Sequence, residues 1–154
     1  VGALGIVAPS LVGGGEALTE VVLVGGLSTL GLCVALVVRW FLGPFSYAAG
    51  TPGGLFAPLL VVGALLGVTL ATAANAIAPA LDLSPTAFGI VGMSTFFAAT
   101  VRAPITGIIL IVEMTATTSL LVPMLVAAFV AVIAAAALGG RPVYDVLRER
   151  LARV

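Results

Sequence analysis

Residues 50–58 read GTPGGLFAP and lead directly into an apolar segment at 59–77 that carries no charge. Gly53 and Gly54 permit a sharp turn and a close approach of the backbone. A helix that begins near Leu55 leaves its first N–H groups without acceptors inside the helix. Such a helix start carries about half a positive charge, and this pattern therefore suits a small anion held by backbone donors. An ordinary loop between two membrane helices is the alternative interpretation.

The composition excludes several classes of protein. The chain of 154 residues is 62% hydrophobic and 8% charged, and it contains no histidine. A soluble domain carries about a quarter charged residues, so we expect an integral membrane protein. The single cysteine, Cys33, excludes a disulfide framework within the chain and is expected to be a small buried residue. We expect no metal site and no cofactor, and the net charge of zero suggests no nucleic-acid partner.

Glycines, prolines and charged residues divide the chain into helices of unequal length. The predicted helices cover residues 16–24, 28–42, 55–77, 86–101, 103–115 and 120–138, with a charged helix after Pro142. Segments 86–101 and 103–115 are shorter than the roughly 20 residues that a spanning helix needs. The break between them contains Arg102, and it is either a tight turn at the surface or a break inside the protein. Short segments interrupted by Gly and Pro indicate a transporter with broken helices.

Charged residues in these segments lead to further expectations. Glu16 and Glu20 suit a helix N-terminus, and lining an outer mouth is their alternative role. Arg39 is expected to extend its guanidinium to the membrane interface. Gly43-Pro44 should end or kink the helix that contains Arg39. Glu113 is a functional candidate because it is ionisable within an apolar segment, although a structural role near the surface explains it equally well.

The end of the chain differs from the rest because it is charged. Residues 141–154 contain four arginines against two acidic residues, so the positive-inside rule predicts a cytoplasmic C-terminus. Tyr144 lies at the start of the predicted last helix. Its phenol is either an interfacial aromatic residue or a hydrogen-bond donor to a ligand.

Four motifs resemble, in order, those of the CLC family of voltage-gated chloride channels and proton-coupled chloride transporters. They are VAPSLVGGG at 7–15, SYAAGTPGGLFAP at 46–58, GMSTFFAATVRAPITGIILIVEMT at 92–115 and GGRPVY at 139–144. The resemblance implies an all-α membrane protein in which residues 1–154 form the second inverted repeat of a CLC-type transport domain, with short, tilted and broken helices. It further implies that the chain lacks the first repeat and has no cytoplasmic regulatory domain.

The resemblance also implies a function and a site. The function is transmembrane chloride transport, as part of a channel or of a chloride/proton antiporter. The implied chloride ligands are the backbone amides of Leu55 and Phe56 and the hydroxyl of Tyr144, and the loop residues that shape the site are Gly53, Gly54 and Pro58. The family's other chloride ligands and its proton-path glutamates fall outside the matched motifs. The sequence therefore does not distinguish a channel from an exchanger.

The implied partners are chloride, protons in the case of an exchanger, the lipid bilayer and a second copy of the chain. The resemblance places the homodimer contact on helices 103–115 and 120–138, and the protein in a prokaryotic plasma membrane. An intramembrane enzyme would need a Ser–His pair, an Asp pair or a metal, so no enzymatic activity is expected. An inverted-repeat secondary transporter for another ion or solute is the remaining alternative.

Overall fold

The computed structural model describes residues 14–48 and 54–151, and in these ranges all regular structure is helical. The helices are α1 (Glu16–Leu23), α2 (Thr29–Ala48), α3 (Phe56–Ile77), a 3₁₀ turn (Pro79–Leu81), α4 (Pro85–Val101), α5 (Pro104–Thr115), α6 (Leu121–Ala137) and α7 (Val143–Leu151). Apart from α2, each predicted helix differs from the observed one by at most one residue at either end. The chain divides within α4, between Met93 and Ser94, into two compact units.

The helices differ in whether they are long enough to span a bilayer. Among the described residues, only α3 is both long and apolar enough to cross a membrane, with 22 residues. Helices α4, α5, α6 and the apolar part of α2 (Thr29–Gly43) are apolar but shorter, at 10–17 residues. A straight spanning helix needs roughly 20 residues. The predicted pattern of short segments, with a break between α4 and α5, is therefore observed.

In the first unit, α3 lies at the centre and packs against α1 and α2. Two glycines of α3 allow the first part of α4 to come very close. A Cβ atom added at Gly63 would lie 2.6 Å from the carbonyl oxygen of Gly92, and one at Gly67 would overlap the backbone of Phe88. Small residues let two helix backbones touch, which is a main source of packing energy between helices in lipid.

The connection from α3 to α4 is held by side-chain hydrogen bonds. The amide of Asn75 bonds both backbone groups of Leu83: its Nδ2 donates to the carbonyl at 2.8 Å, and its Oδ1 accepts the N–H at 2.9 Å. The hydroxyl of Thr86 donates to the carbonyl of Leu23 at 2.7 Å. The start of α4 is thus attached to the end of α1 as well as to α3.

Two predictions about α2 are corrected by the structure. Gly43-Pro44 does not end the helix, which continues to Ala48, and a kink at this position stays a prediction. A proline removes one backbone hydrogen bond without forcing a helix to end, and membrane helices tolerate this loss. Arg39 does not extend to the surface: it is 4% exposed. Its guanidinium lies against the backbone of Gly15, where an added Cβ would be 2.5 Å from Nη2.

The prediction that Cys33 is buried is also wrong, because this residue is exposed. The buried face of α2 consists of Leu32, Ala35 and Arg39. These residues are three and four positions apart and so share one side of the helix. Cys33 lies outside that stripe.

In the second unit, α5 packs against α6. As predicted, α6 ends at the glycine pair. The N–H of Gly140 donates to the carbonyl of Ala135 at 2.9 Å, and the N–H of Gly139 donates to the carbonyl of Ala136 at 3.0 Å. Gly139 has a φ of 72°, so the helix closes in a Schellman motif that favours glycine at this position.

Candidate anion-binding site

The helix start that the sequence predicts near Leu55 is observed at the start of α3. Leu55 is the N-cap residue, yet its own backbone is already helical, with φ −74° and ψ −15°. Its carbonyl accepts the N–H of Leu59 at 3.1 Å. Phe56 is the first helical residue, and the first turn contains no acidic side chain. The N–H groups of such a turn point along the axis toward the residues that precede the helix, where the partial charge is positive.

The three residues predicted to shape the loop lie in different places. Gly53 falls outside the described residues. Gly54 lies directly before α3 and is exposed, and a Cβ added there would meet no described atom within 4 Å. Pro58 lies inside α3, in its first turn, and its role in shaping an anion site stays a prediction. A proline fits there because the N–H groups of this turn have no acceptor inside the helix, so the missing N–H of Pro58 breaks no hydrogen bond of α3.

A second element, the turn before α1, covers one side of the start of α3. A Cβ added at Gly14 would lie 3.4 Å from the Cβ of Ala57, and one at Gly15 would lie 2.6 Å from a methyl group of Val61. The guanidinium of Arg39 contacts the same turn. A buried positive charge therefore lies close to the first turns of α3. Sequence reasoning missed this arrangement, because nothing in the local pattern pairs position 15 with position 39.

Tyr144 belongs to the second unit, whereas Leu55 and Phe56 belong to the first. It is the second residue of α7 and is 49% exposed. Within the described part of the chain, its hydroxyl makes no hydrogen bond. Pro142 precedes α7 and accepts the N–H of Val146 at 3.2 Å. A half-exposed phenol with an available donor is compatible with both interpretations of Tyr144.

The break between α4 and α5 is attached to the end of α6 through Arg102. Its backbone is left-handed, with φ 67°, which costs an ordinary residue about 1–2 kcal/mol. Its Nη1 donates to the carbonyl of Val132, and its Nη2 donates to the carbonyl of Gly140 at 2.8 Å. Arg102 is partly buried and bonded to α6, and both interpretations of this break, a tight turn at the surface and a break inside the protein, stay predictions.

Three acidic residues considered in the sequence are exposed. Glu16 is the first residue of α1, where a carboxylate stabilises the helix start, and Glu20 lies one turn later. Glu113 is exposed near the end of α5. Their alternative roles in an outer mouth or in ion transport stay predictions.

An exposed ion pair lies in the charged C-terminal segment, after the apolar helices. Arg141 donates from Nη1 to Oε2 of Glu149 at 3.0 Å and from Nη2 to Oε1. The hydrogen bonds and positive charge of Arg141 lower the pKa of the Glu149 carboxyl below its ordinary value. The same contact raises the pKa of Arg141. Both groups are therefore charged at neutral pH, and they connect the residue two positions before α7 with the second turn of that helix.

Comparison with known protein families assigns the chain to a family. The family described as "Voltage gated chloride channel" matches residues 1–136. The chain belongs to this family. The resemblance found in the four motifs is confirmed, and with it the all-α fold of a membrane protein.

Similar CLC proteins carry the name H(+)/Cl(−) exchange transporter ClcA. The protein of Vibrio parahaemolyticus serotype O3:K6 is 42% identical over 149 residues, which are 97% of this chain and 32% of that protein. Over the same shares, the proteins of Vibrio cholerae serotype O1 and Klebsiella pneumoniae subsp. pneumoniae are 42% and 40% identical. The chain thus spans about a third of the length of these relatives.

Proposed function

We propose that this CLC chain is part of a protein that moves chloride across a bacterial plasma membrane in exchange for protons. The sequence motifs leave a channel and an exchanger open. The names of relatives that are 40–42% identical over 97% of the chain favour the exchanger. The structural observation that carries the proposal is the start of α3, a helix N-terminus without an acidic side chain behind an exposed glycine.

In this proposal, chloride is held by the backbone amides of Leu55 and Phe56 and by the hydroxyl of Tyr144. Hydrogen bonds to an ion contribute about 1.5–3 kcal/mol each, which replaces part of the ion's hydration. Backbone donors and a phenol carry no full positive charge, so they do not trap the ion as an arginine pair would. Gly54 leaves the space ahead of these donors open to an anion.

The rest of the architecture follows from the family. We propose that residues 1–154 form the second inverted repeat of the transport domain, with the C-terminus in the cytoplasm and with no enzymatic activity. A second copy of the chain binds through α5 and α6, and each subunit carries its own chloride pathway. The large exposed apolar side chains of these two helices support the dimer. They include Ile105, Ile109, Val122, Val126, Phe129, Val130 and Ile133.

The proposal is tested at Gly54 by two substitutions of nearly equal size. Both side chains have room, since a Cβ at Gly54 meets no described atom within 4 Å. In proteoliposomes that contain the complete protein, Gly54→Asp should reduce chloride flux by at least about tenfold, because a carboxylate repels an anion at short range. Gly54→Asn lacks the charge and should retain about half of the flux or more.

Three results would contradict the proposal. Wild-type flux in the Gly54→Asp protein would remove the start of α3 from the pathway. Equal losses in both variants would indicate a disturbed backbone and not charge repulsion. Absence of chloride flux in the wild-type protein, together with transport of another ion or solute, would favour the alternative inverted-repeat transporter.

A further inference from the structure

We propose that Arg102 is a positioning residue for Tyr144. Its guanidinium bonds the carbonyl groups at the end of α6 and so sets the direction in which the chain enters α7. This inference rests on the proposed function, because it takes the hydroxyl of Tyr144 to be a ligand of chloride. It adds a residue that does not contact the ion but determines where a ligand lies.

The contact depends on the shape of the arginine side chain. Nη1 donates to the carbonyl of Val132 and Nη2 donates to the carbonyl of Gly140, so one guanidinium connects the last turns of α6 with the turn that follows. The planar, forked guanidinium can make both bonds at once, whereas a lysine ammonium is a single point donor. The partial negative charge at the C-terminal end of α6 favours a cation at this position.

Arg102 bonds to a segment that contains two glycines, and these residues restrict the backbone of the segment only weakly. Gly139 and Gly140 form the end of α6, and glycine has more backbone freedom than other residues. A Cβ added at Gly140 would lie 3.6 Å from Nη2 of Arg102, so the guanidinium lies close to the glycine itself as well as to its carbonyl. Only residues 141–143 separate Gly140 from Tyr144. A rotation of the Gly140 peptide therefore changes the path of the chain into α7 and displaces the phenol.

Charge and geometry make different predictions for this residue. One guanidinium bond is directed at a carbonyl of α6 and the other at a carbonyl of the turn that follows it, and among the described residues Arg102 has no ion pair with an acidic side chain. If its positive charge attracted chloride directly, removing Tyr144 would leave the effect of Arg102 intact. If Arg102 acts by positioning Tyr144, the effect of Arg102 should disappear once the tyrosine hydroxyl has been removed.

A double-mutant cycle on the complete protein, with chloride affinity measured by calorimetry, distinguishes these cases. We expect Arg102→Gln to weaken chloride binding by about threefold to tenfold, the range of one lost hydrogen bond. Tyr144→Phe should weaken binding at least as much, and the double variant should bind no more weakly than Tyr144→Phe alone. The control Arg148→Gln removes one positive charge from an exposed position on α7 and should change the affinity by less than about twofold.

Each of the other possible outcomes supports or overturns a specific part of the proposal. Unchanged affinity in Arg102→Gln, additive losses in the double variant, or an equal loss in Arg148→Gln would overturn the positioning role while leaving Tyr144 as a ligand. Unchanged affinity in Tyr144→Phe would overturn both Tyr144 as a ligand and the inference built on it. If Arg102→Gln does not fold, Arg102→Lys enters the same cycle, because it keeps the charge but not the two-carbonyl contact. A loss in Arg102→Lys that disappears in the Tyr144→Phe background would support positioning, and wild-type affinity would overturn it.

Discussion

Helices α3 and α6 are both apolar along their length, yet they differ in how many of their residues are buried. Nine residues of the 22 in α3 are buried, compared with Met124 and Ala128 alone among the 17 of α6. The buried part of α3 contains Gly63 and Gly67, which admit the backbone of α4. The surface of α6 instead presents large branched and aromatic side chains. Hydropathy therefore indicates that both helices belong in a membrane, but it does not indicate which of them packs against protein.

The difference has an energetic reason. In lipid, burying an exposed valine or isoleucine against protein contributes little free energy, because the acyl chains are as apolar as the side chain itself. Association between helices must then come from close packing and hydrogen bonds. We expect the stability of the subunit to be concentrated where the backbones of α3 and α4 touch, and α6 to remain available for lipid or for a second copy.

The largest effect is expected from Gly67→Ala in α3. The added methyl group would overlap the backbone of Phe88, which cannot move aside as a flexible side chain can. We expect a loss of about 3 kcal/mol or more in the free energy of unfolding, measured by thermal or denaturant unfolding in detergent. Gly43→Ala is the control, since a Cβ there has no described atom within 4 Å. It should be neutral or stabilise α2 by up to about 1 kcal/mol, and equal losses in both variants would contradict the role of the α3–α4 contact.

A smaller effect, on assembly and not on folding, is expected from Ile133→Trp in α6. Ile133 is 67% exposed, so the subunit should fold, while a dimer formed through this face should shift toward monomers by about tenfold. Ala128→Trp is the matched comparison on the buried side of α6, where Ala128 is fully buried and the subunit itself should unfold. Cross-linking in lipid and thermal unfolding in detergent give the two readouts. An Ile133→Trp protein that dimerises normally would mean that this face of α6 contacts lipid.

The smallest effect is expected from Glu149→Gln, since both partners of the Arg141–Glu149 pair are about half exposed. The carboxyl has a lowered pKa in the folded protein, so its contribution to stability is complete above its ordinary value of 4.5 and is lost as the pH falls through the lower, folded pKa. Arg141 stays protonated throughout. Thermal unfolding at pH 7 should show only a small decrease for Glu149→Gln, and the difference from wild type should vanish at acidic pH. A difference that grows on acidification would show that the pair is not its cause.

Much of this protein could be predicted because the relevant signals are local. Composition and the length of apolar segments identify a membrane protein, and glycines and prolines mark helix ends at Pro85, Pro104 and Gly139 to within one residue. These signals act through backbone dihedral angles and missing N–H donors, which depend on a residue and its neighbours alone. The four motifs together indicated the family for the same reason, since each is a continuous run of neighbouring residues.

The errors arose where a residue's surroundings come from distant parts of the chain. Pro44 failed to end α2, and Arg39 is buried because Gly15, 24 positions earlier, leaves room for its guanidinium. Cys33 is exposed although it lies beside a buried leucine, because the packed face of α2 is set by its contact with α3. Hydropathy does not predict which of these residues are buried, because nearly every position in this chain is apolar.

The sequence by itself determined that this is an all-helical CLC membrane protein, where its helices begin and, apart from α2, where they end, and that the start of α3 is a helix N-terminus without acidic side chains. Only the tertiary structure decided which glycines carry the α3–α4 contact, that Arg39 lies beside the turn before α1, and that Arg102 is bonded to the end of α6. The physical reason is the range of the interactions. Helix ends are set by bonds within four residues, whereas packing and long side-chain hydrogen bonds join positions whose proximity no local pattern encodes.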